Sequence, residues 1–249
     1  MDPYEELKGK NALIIGGTGG IGRACVNLFA EHGSSVGFTF LRSTNVASDL
    51  VRHWQAKKAA IKAWKVDLGS DASLERFASE VSAHFHHLDT LVMCQGTIEG
   101  KRLRDYSFPE MRRVFDVNIL SMIKLSKLLH ELLAENSAVT FISSISAQAG
   151  SYDPVYASSK GAILSFTRAI AKDFGPSIRV NSVAPALTQD TGMFAKMKKE
   201  IRERHEAATL LKRLATPTDI ANVVLFLSCA ASSHITGACI DVNGGEYLR

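Results

Sequence analysis

Tyr156 and Lys160 stand four residues apart, a spacing that places both side chains on one face of a helix. A phenol with an ordinary pKa of ~10 is a poor base at neutral pH. An ammonium held close to it favours the phenolate. Lowering the phenol by ~3 units takes roughly 4 kcal/mol of differential interaction, and one well-placed, partly desolvated charge can supply much of that. Such a pair could move a proton to or from a substrate oxygen. A tyrosine and a lysine also fall at this spacing by chance, so the surrounding elements decide what the pair means.

Short apolar, β-branched runs alternate with helical patterns along the chain. Strands are predicted at 12–15, 35–40, 61–66, 90–93, 138–142, 179–183 and 239–242, and helices at 21–32, 48–58, 74–85, 108–134, 154–174 and 217–228. Strands alternating with helices predict an α/β fold: a doubly wound, Rossmann-type parallel sheet of about seven strands with helices on both faces. In such sheets ligands bind at the carboxyl ends of the strands, and that is where the candidate residues fall.

The first strand runs into Gly16-Gly17-Thr18-Gly19-Gly20-Ile21-Gly22 at the start of a helix. Glycines let a backbone approach a pyrophosphate, and the helix start offers free N–H groups and the positive end of a dipole. Gly16, Thr18, Gly20, Ile21 and Gly22 are therefore candidate dinucleotide contacts. After the second strand come Arg42 and Ser43, where an acid would hold the ribose of NAD. A cation and a hydroxyl suit a 2′-phosphate instead, which points to NADP(H). Asp67 and Leu68 follow the third strand, at the expected adenine edge, and Cys94, Gln95 and Gly96 follow the fourth. The fifth leads to Ser143-Ser144-Ile145-Ser146 and then to Tyr156 and Lys160.

The 249 residues carry a formal net charge of +4, with 46% hydrophobic and 22% charged residues. That balance suits a globular protein and is too mild for nucleic-acid binding, which would need a clustered basic stripe. Cys25, Cys94, Cys229 and Cys239 form neither CxxC pairs nor zinc-like clusters with histidine, so no metal is expected. The polar start at 1–10 lacks the pattern of a signal peptide, and no apolar run is long enough for a membrane span. A cytoplasmic protein with free thiols is the expectation.

Taken together, GGTGGIG, VDL, the Asn118 of VFDVN, ISS, YASSK, VNSVAP and ITGACIDVNGG resemble the single-domain short-chain dehydrogenase/reductase family over essentially the whole chain. The resemblance implies that Tyr156 is the general acid in reduction and the base in oxidation. It implies that Lys160 lowers the pKa of Tyr156 and binds the nicotinamide ribose. Ser144 becomes the donor to the substrate oxygen, with Ser143 as the rival serine, and Asn118 holds a water for a proton relay to Lys160. Pro185, Leu187 and Thr188 fall at the nicotinamide end, with Thr188 against the carboxamide. A substrate lid is implied at 187–213.

The sequence also departs from the family pattern. Ile15 replaces the threonine before the first glycine, so the tie it makes must be absent or replaced. Met93-Cys94-Gln95-Gly96 keeps only the glycine of Asn-Asn-Ala-Gly, which predicts the loss of side-chain ties bracing the sheet. Ala186 replaces a glycine.

The resemblance implies an NADPH-dependent carbonyl reductase. Its first candidate substrate is a 3-oxoacyl thioester on acyl carrier protein; the alternative is a polyol, sugar, steroid or other small ketone. A basic lid (Lys196, Lys198, Lys199, Arg202, Arg204, Lys212, Arg213) would suit an acidic carrier, but Glu200, Glu203 and Glu206 interrupt it and read as a solvated helix. Glu131 and Glu135 count against a carrier. A non-enzymatic nucleotide-sensing protein on the same fold is the lesser rival, because Ser144, Tyr156 and Lys160 are all present. A homo-dimer or homo-tetramer is implied.

Overall fold

In the computed structural model, which describes residues 4–249, seven strands form one fully parallel sheet in the order β3-β2-β1-β4-β5-β6-β7. They are β1 (Asn11–Ile15), β2 (Ser35–Phe40), β3 (Ile61–Lys65), β4 (Leu88–Met93), β5 (Leu133–Ile142), β6 (Arg179–Pro185) and β7 (Cys239–Val242). Of the polar start at 1–10, residues 1–3 lie outside the described residues. The order reverses between β1 and β4, and this switch point opens a crevice at the carboxyl ends of the strands.

Alternate residues of β1 serve two cores. Leu13 and Ile15 face one, with Leu91, Met93, Val139 and Phe141; Ala12 and Ile14 face the other, with Val36, Phe38, Val92 and Ile142. Burial on both faces is why the stretches at 12–15, 90–93 and 138–142 read as largely apolar. The first core is covered by α3 (Asp71–His84), α5 (Ser121–Leu129) and α7 (Pro154–Phe174), the second by α1 (Gly20–Glu31), α2 (Thr44–Ala56) and α10 (Pro217–Leu227). Local chemistry fixes the helix starts. Thr216 and Asp219 form a capping box at α10 with Pro217 in the first turn, and Ser107 and Glu110 form another at α4 (Phe108–Phe115). A short α6 (Ser146–Ala149) follows β5, and α8 (Gly192–Lys196) and α9 (Lys199–Ala208) fall within the stretch at 187–213.

Two expectations are corrected. The single helix expected over 108–134 is broken: α4 ends at Phe115, a π-helical turn covers Asp116–Leu120, α5 follows, and β5 already begins at Leu133. Helix two starts at Thr44 rather than near 48, which makes Ser43 its N-cap residue. Among the described residues no helix is long and apolar enough to cross a membrane.

Candidate active site

α1 begins directly on the glycine loop. Its N-cap is Gly19, no side chain caps it, and no acid stands in its first turn. Its first N–H groups are thus left for an anion. Gly16 has φ +82°, and a Cβ there would stand 3.2 Å from the Gln95 backbone nitrogen. A Cβ on Gly22 would collide with the Gly16 carbonyl. Both positions need glycine, one for its backbone angle and one for close helix–strand packing.

The tie lost with Ile15 is replaced from β2. The Thr39 hydroxyl accepts from the Gly16 N–H at 2.9 Å, and its carbonyl accepts from the Gly17 N–H at 2.9 Å. A lone threonine in the run SVGFTF was the available signal. Thr39→Val keeps the shape but strands the Gly16 donor, so it should cost about 1–3 kcal/mol of stability, measured as a lower urea midpoint at constant slope.

The Met93–Gly96 segment also keeps a side-chain tie, against expectation. The Gln95 amide donates to Ser121 Oγ at 3.2 Å, joining the end of β4 to α5. The Cys94 N–H donates to the Ile15 carbonyl at 2.9 Å. The Cys94 thiol meets Cys25 of α1, whose pKa is pushed well up by that hydrogen bond and by burial.

Arg42 and Ser43 are exposed at the start of α2, and neither side chain makes a hydrogen bond within the described residues. α2 has no acid in its first turn, so its dipole adds to the attraction for an anion there. Asp67 is exposed beyond β3, with Oδ1 accepting from the Gly69 N–H at 3.0 Å. Leu68 packs against the first core. These residues fit a dinucleotide with an extra phosphate: two uncapped helix ends, a free guanidinium, and a glycine crossing that a side chain would block.

At the other end of the crevice, α7 carries Tyr156 (7% exposed) and Lys160 (2% exposed). Lys160 Nζ donates to the Ile142 carbonyl at 2.8 Å and lies 5.9 Å from the Tyr156 ring centroid. A Cβ on Gly96 would stand 3.4 Å from Nζ. Successive residues after β5 point apart. Ser143 Oγ donates to the Lys160 carbonyl at 3.0 Å, whereas the Ser144 hydroxyl accepts from the Ser146 N–H at 3.1 Å and lies near enough to the Tyr156 phenol to lower its pKa. Asn118 is fully buried in the π-turn, the kind of helix irregularity that recurs at functional sites. Its Oδ1 accepts from the Thr97 N–H at 2.7 Å, and Nδ2 donates to the Thr97 carbonyl and to Ser159 Oγ, both at 2.9 Å. Ser159 Oγ donates on to the Tyr156 carbonyl at 2.7 Å. Pro185 ends β6 beside Val242. Leu187 is half-buried, and Thr188 is buried with its hydroxyl on the Ala186 carbonyl at 3.1 Å.

The electrostatics differ from expectation in one respect. Burial pushes Tyr156 up to about 12, opposed by the Ser144 hydrogen bond and reinforced by the Asp153 charge. Burial pulls Lys160 down to about 8. In the free protein, therefore, Ser144 rather than Lys160 eases ionisation of the phenol. Lys160 directs a proton to the Ile142 carbonyl.

The stretch at 187–213 is tied to the C-terminal segment. Leu210 and Leu211 donate to the Gly244 carbonyl, His205 Nδ1 lies 2.7 Å from Glu246 Oε1, and the Arg202 guanidinium stacks over Phe194 at 4.2 Å. No residue of α9 is buried, and Lys199 pairs with Glu203 within the helix.

Comparison with known proteins agrees with this geometry. A family model described as enoyl-(acyl carrier protein) reductase matches residues 16–246. Glucose and ribitol dehydrogenase homolog 2 of Arabidopsis thaliana is 34% identical, the match covering 99% of this chain and 89% of that protein. The chloroplastic NADPH-dependent aldehyde reductase 1 of the same plant is 32% identical over 99% of this chain and 89% of its own length. A 3-oxoacyl-[acyl-carrier-protein] reductase of Aquifex aeolicus is 31% identical, covering 97% of this chain and 99% of that protein. The crystal structure of a short-chain dehydrogenase/reductase of glucose/ribitol dehydrogenase type from Brucella melitensis superposes with a TM-score of 0.92 at 30% identity, covering 97% of this chain and 98% of that one.

Proposed function

Because the chain belongs to the short-chain dehydrogenase/reductase family, we propose that it is an NADP(H)-dependent oxidoreductase interconverting a carbonyl and an alcohol on a small polyol, sugar, aldehyde or ketone. The observation that carries this reading is the convergence of Ser144, Tyr156 and Lys160 at one end of a crevice whose other end exposes Arg42 and Ser43. The glycine loop and the start of α1 would hold the pyrophosphate, Arg42 and Ser43 the 2′-phosphate, and Asp67 and Leu68 the adenine edge. Cys94, Gly96, Lys160, Pro185, Leu187 and Thr188 would hold the nicotinamide end.

When bound, NADPH supplies the hydride. The rest falls to side chains of this chain. The Ser144 and Tyr156 hydroxyls donate to the carbonyl oxygen where negative charge develops. Tyr156 then gives its proton to that oxygen, and a pKa of about 12 in the free protein keeps it protonated and ready. Lys160, charged below about pH 8, stabilises the phenolate left behind. Ser143 holds the Lys160 backbone. Asn118 braces Thr97 and Ser159 beside the expected relay water.

The small-carbonyl alternative displaces the 3-oxoacyl thioester as first choice. The exposed charges of α9 alternate and pair within the helix, which favours a solvated lid over an acyl-carrier dock. The sugar-alcohol and aldehyde activities named for two relatives also favour small substrates. We assign a homo-dimeric or homo-tetrameric assembly to the half-exposed Leu120, Ile123 and Leu128 on and beside α5.

The test is the loss of NADPH absorbance across a panel of sugars, aldehydes, diketones and acyl thioesters. No turnover with any of them, with folded protein, would refute the reading. Arg42→Ala should raise the KM for NADPH roughly 10-fold or more, the worth of a charged hydrogen bond, and leave the KM for NADH unchanged. Equal losses with both cofactors would remove Arg42 from phosphate recognition.

A further inference from the structure

Asp153 is the N-cap of α7, three residues before Tyr156, and its exposure is 0%. A buried carboxylate must be matched by donors, and four converge on this one. Oδ1 accepts from the Tyr156 N–H at 2.9 Å. Oδ2 accepts from the Gly100 N–H at 2.9 Å and the Lys101 N–H at 3.4 Å. The Tyr106 hydroxyl donates between them, 2.7 Å from Oδ2 and 2.9 Å from Oδ1. Capping a helix needs the first of these alone, and a serine or asparagine would serve. The other three donors all come from one segment, the loop at 97–106.

That loop leaves β4 beside Lys160. Its first residue, Thr97, is bonded in both directions to Asn118. Its outer part is tied to α4 by Lys101–Glu110 at 2.5 Å and by Glu99–Arg113. Asp153 is the point where the loop is fixed to the helix that carries Tyr156. The Tyr152 side chain next to it reaches back over Gly100, where a Cβ would stand 3.2 Å from its hydroxyl.

We infer that Asp153 is a positioning residue for the proposed carbonyl chemistry: it locks the loop at 97–106 onto the start of α7, so that this wall of the substrate cleft and the Tyr156 hydroxyl keep one fixed relation. The inference rests on the reading of Tyr156 as proton donor, but the clamp itself is a property of the free protein.

Asp153 also acts on Tyr156 through space. The groups facing the phenol are Lys160 on its own helix, Ser144 after β5, and Asp153, with Tyr106 and then Glu99 beyond the carboxylate. The negative charge of Asp153 raises Tyr156. Tyr106 is raised too, first by its own burial and then by its bond to Asp153, so it remains a donor to the clamp.

The experiment compares Asp153→Asn and Tyr106→Phe with the wild type. Asparagine keeps Oδ1 for the Tyr156 N–H and the Tyr106 hydroxyl but puts an amide NH₂ in place of Oδ2, which cannot accept from Gly100 and Lys101. Hydrogen exchange at the Gly100 and Lys101 amides should quicken roughly 10-fold or more in Asp153→Asn. Its kcat should fall by roughly 10–100-fold, as a misplaced wall would cause, with the KM for NADPH unchanged. In alcohol oxidation the pH limb belonging to Tyr156 should move to lower pH in Asp153→Asn, because a negative charge is gone. It should stay in place in Tyr106→Phe, which retains the charge and the helix cap and serves as the folded control should Asp153→Asn prove unstable. Unchanged exchange at Gly100 and Lys101, or an unmoved limb in folded Asp153→Asn, overturns the inference. A wild type without carbonyl turnover would sink the functional reading, while exchange would still decide the clamp.

Discussion

Tyr156→Phe should lower kcat by about 10²–10⁴-fold, the range general acid catalysis contributes, and leave NADPH binding unchanged. The phenol is buried, and Ser144 lies beside its hydroxyl. Phenylalanine fills the same space, so neither the helix nor the glycine loop at the far end of the crevice has reason to move. What disappears is the proton. Ser144 remains to steady the developing oxygen charge, which is why residual turnover is expected rather than none. Single-turnover kinetics with saturating NADPH separate the two effects: a slow chemical step at full cofactor occupancy fits the assignment. A Tyr156→Phe enzyme with wild-type kcat would remove Tyr156 from the chemistry.

Lys160→Met should abolish most turnover and stabilise the fold. Burial lowers the ammonium from its ordinary 10.5 to about 8, so the folded state binds this proton less tightly than the unfolded chain does. Unfolded chains thus carry more protons between about pH 8 and 10.5, and stability from this group rises with pH across that window. At pH 7 the buried charge costs about 3 kcal/mol, from the fall to about 8. Methionine matches much of the stem and carries no charge. It should raise the melting temperature at pH 7 and flatten the rise in stability between pH 8 and 10.5, measured by urea unfolding at a series of pH values. A melting temperature lowered at pH 7 would mean that the bond to the Ile142 carbonyl outweighs the desolvation of the charge. Such a stability cost at a functional group is common, because active sites hold charges that the fold alone would avoid.

Much of the sheet was legible because the buried stretches of β1, β4 and β5, at 12–15, 90–93 and 138–142, are largely apolar. The glycine loop was legible for a local reason: strand, glycines and helix follow one another directly. The break in the 108–134 helix was not. Its sequence keeps helical periodicity, and the π-turn at Asp116–Leu120 coincides with bonds from Asn118 to Thr97 and Ser159, partners supplied by tertiary structure. Thr39 and Asp153 were missed on similar grounds. Each lies in a segment of ordinary composition, and its importance comes from donors 23 and 53 residues away in sequence. Asp153-Pro154 did carry a helix-start signal, but a cap gives no hint of a clamp. The choice between Ser143 and Ser144 needed geometry as well, since neighbours in an extended segment differ only in the side to which they point.

Hydride transfer to a carbonyl carbon, with Tyr156 supplying the proton, is the step on which the proposed function rests. Reduction of a small carbonyl substrate with NADPH deuterated at the nicotinamide C4, followed by mass spectrometry of the product, measures that transfer. One deuterium is expected on the new alcohol carbon with the wild type, and about 1% or less of that over the same time with Tyr156→Phe, the smallest loss in the range for general acid catalysis. Alcohol formed without deuterium from either face of the nicotinamide, or equal deuterium incorporation by the two proteins, would contradict it.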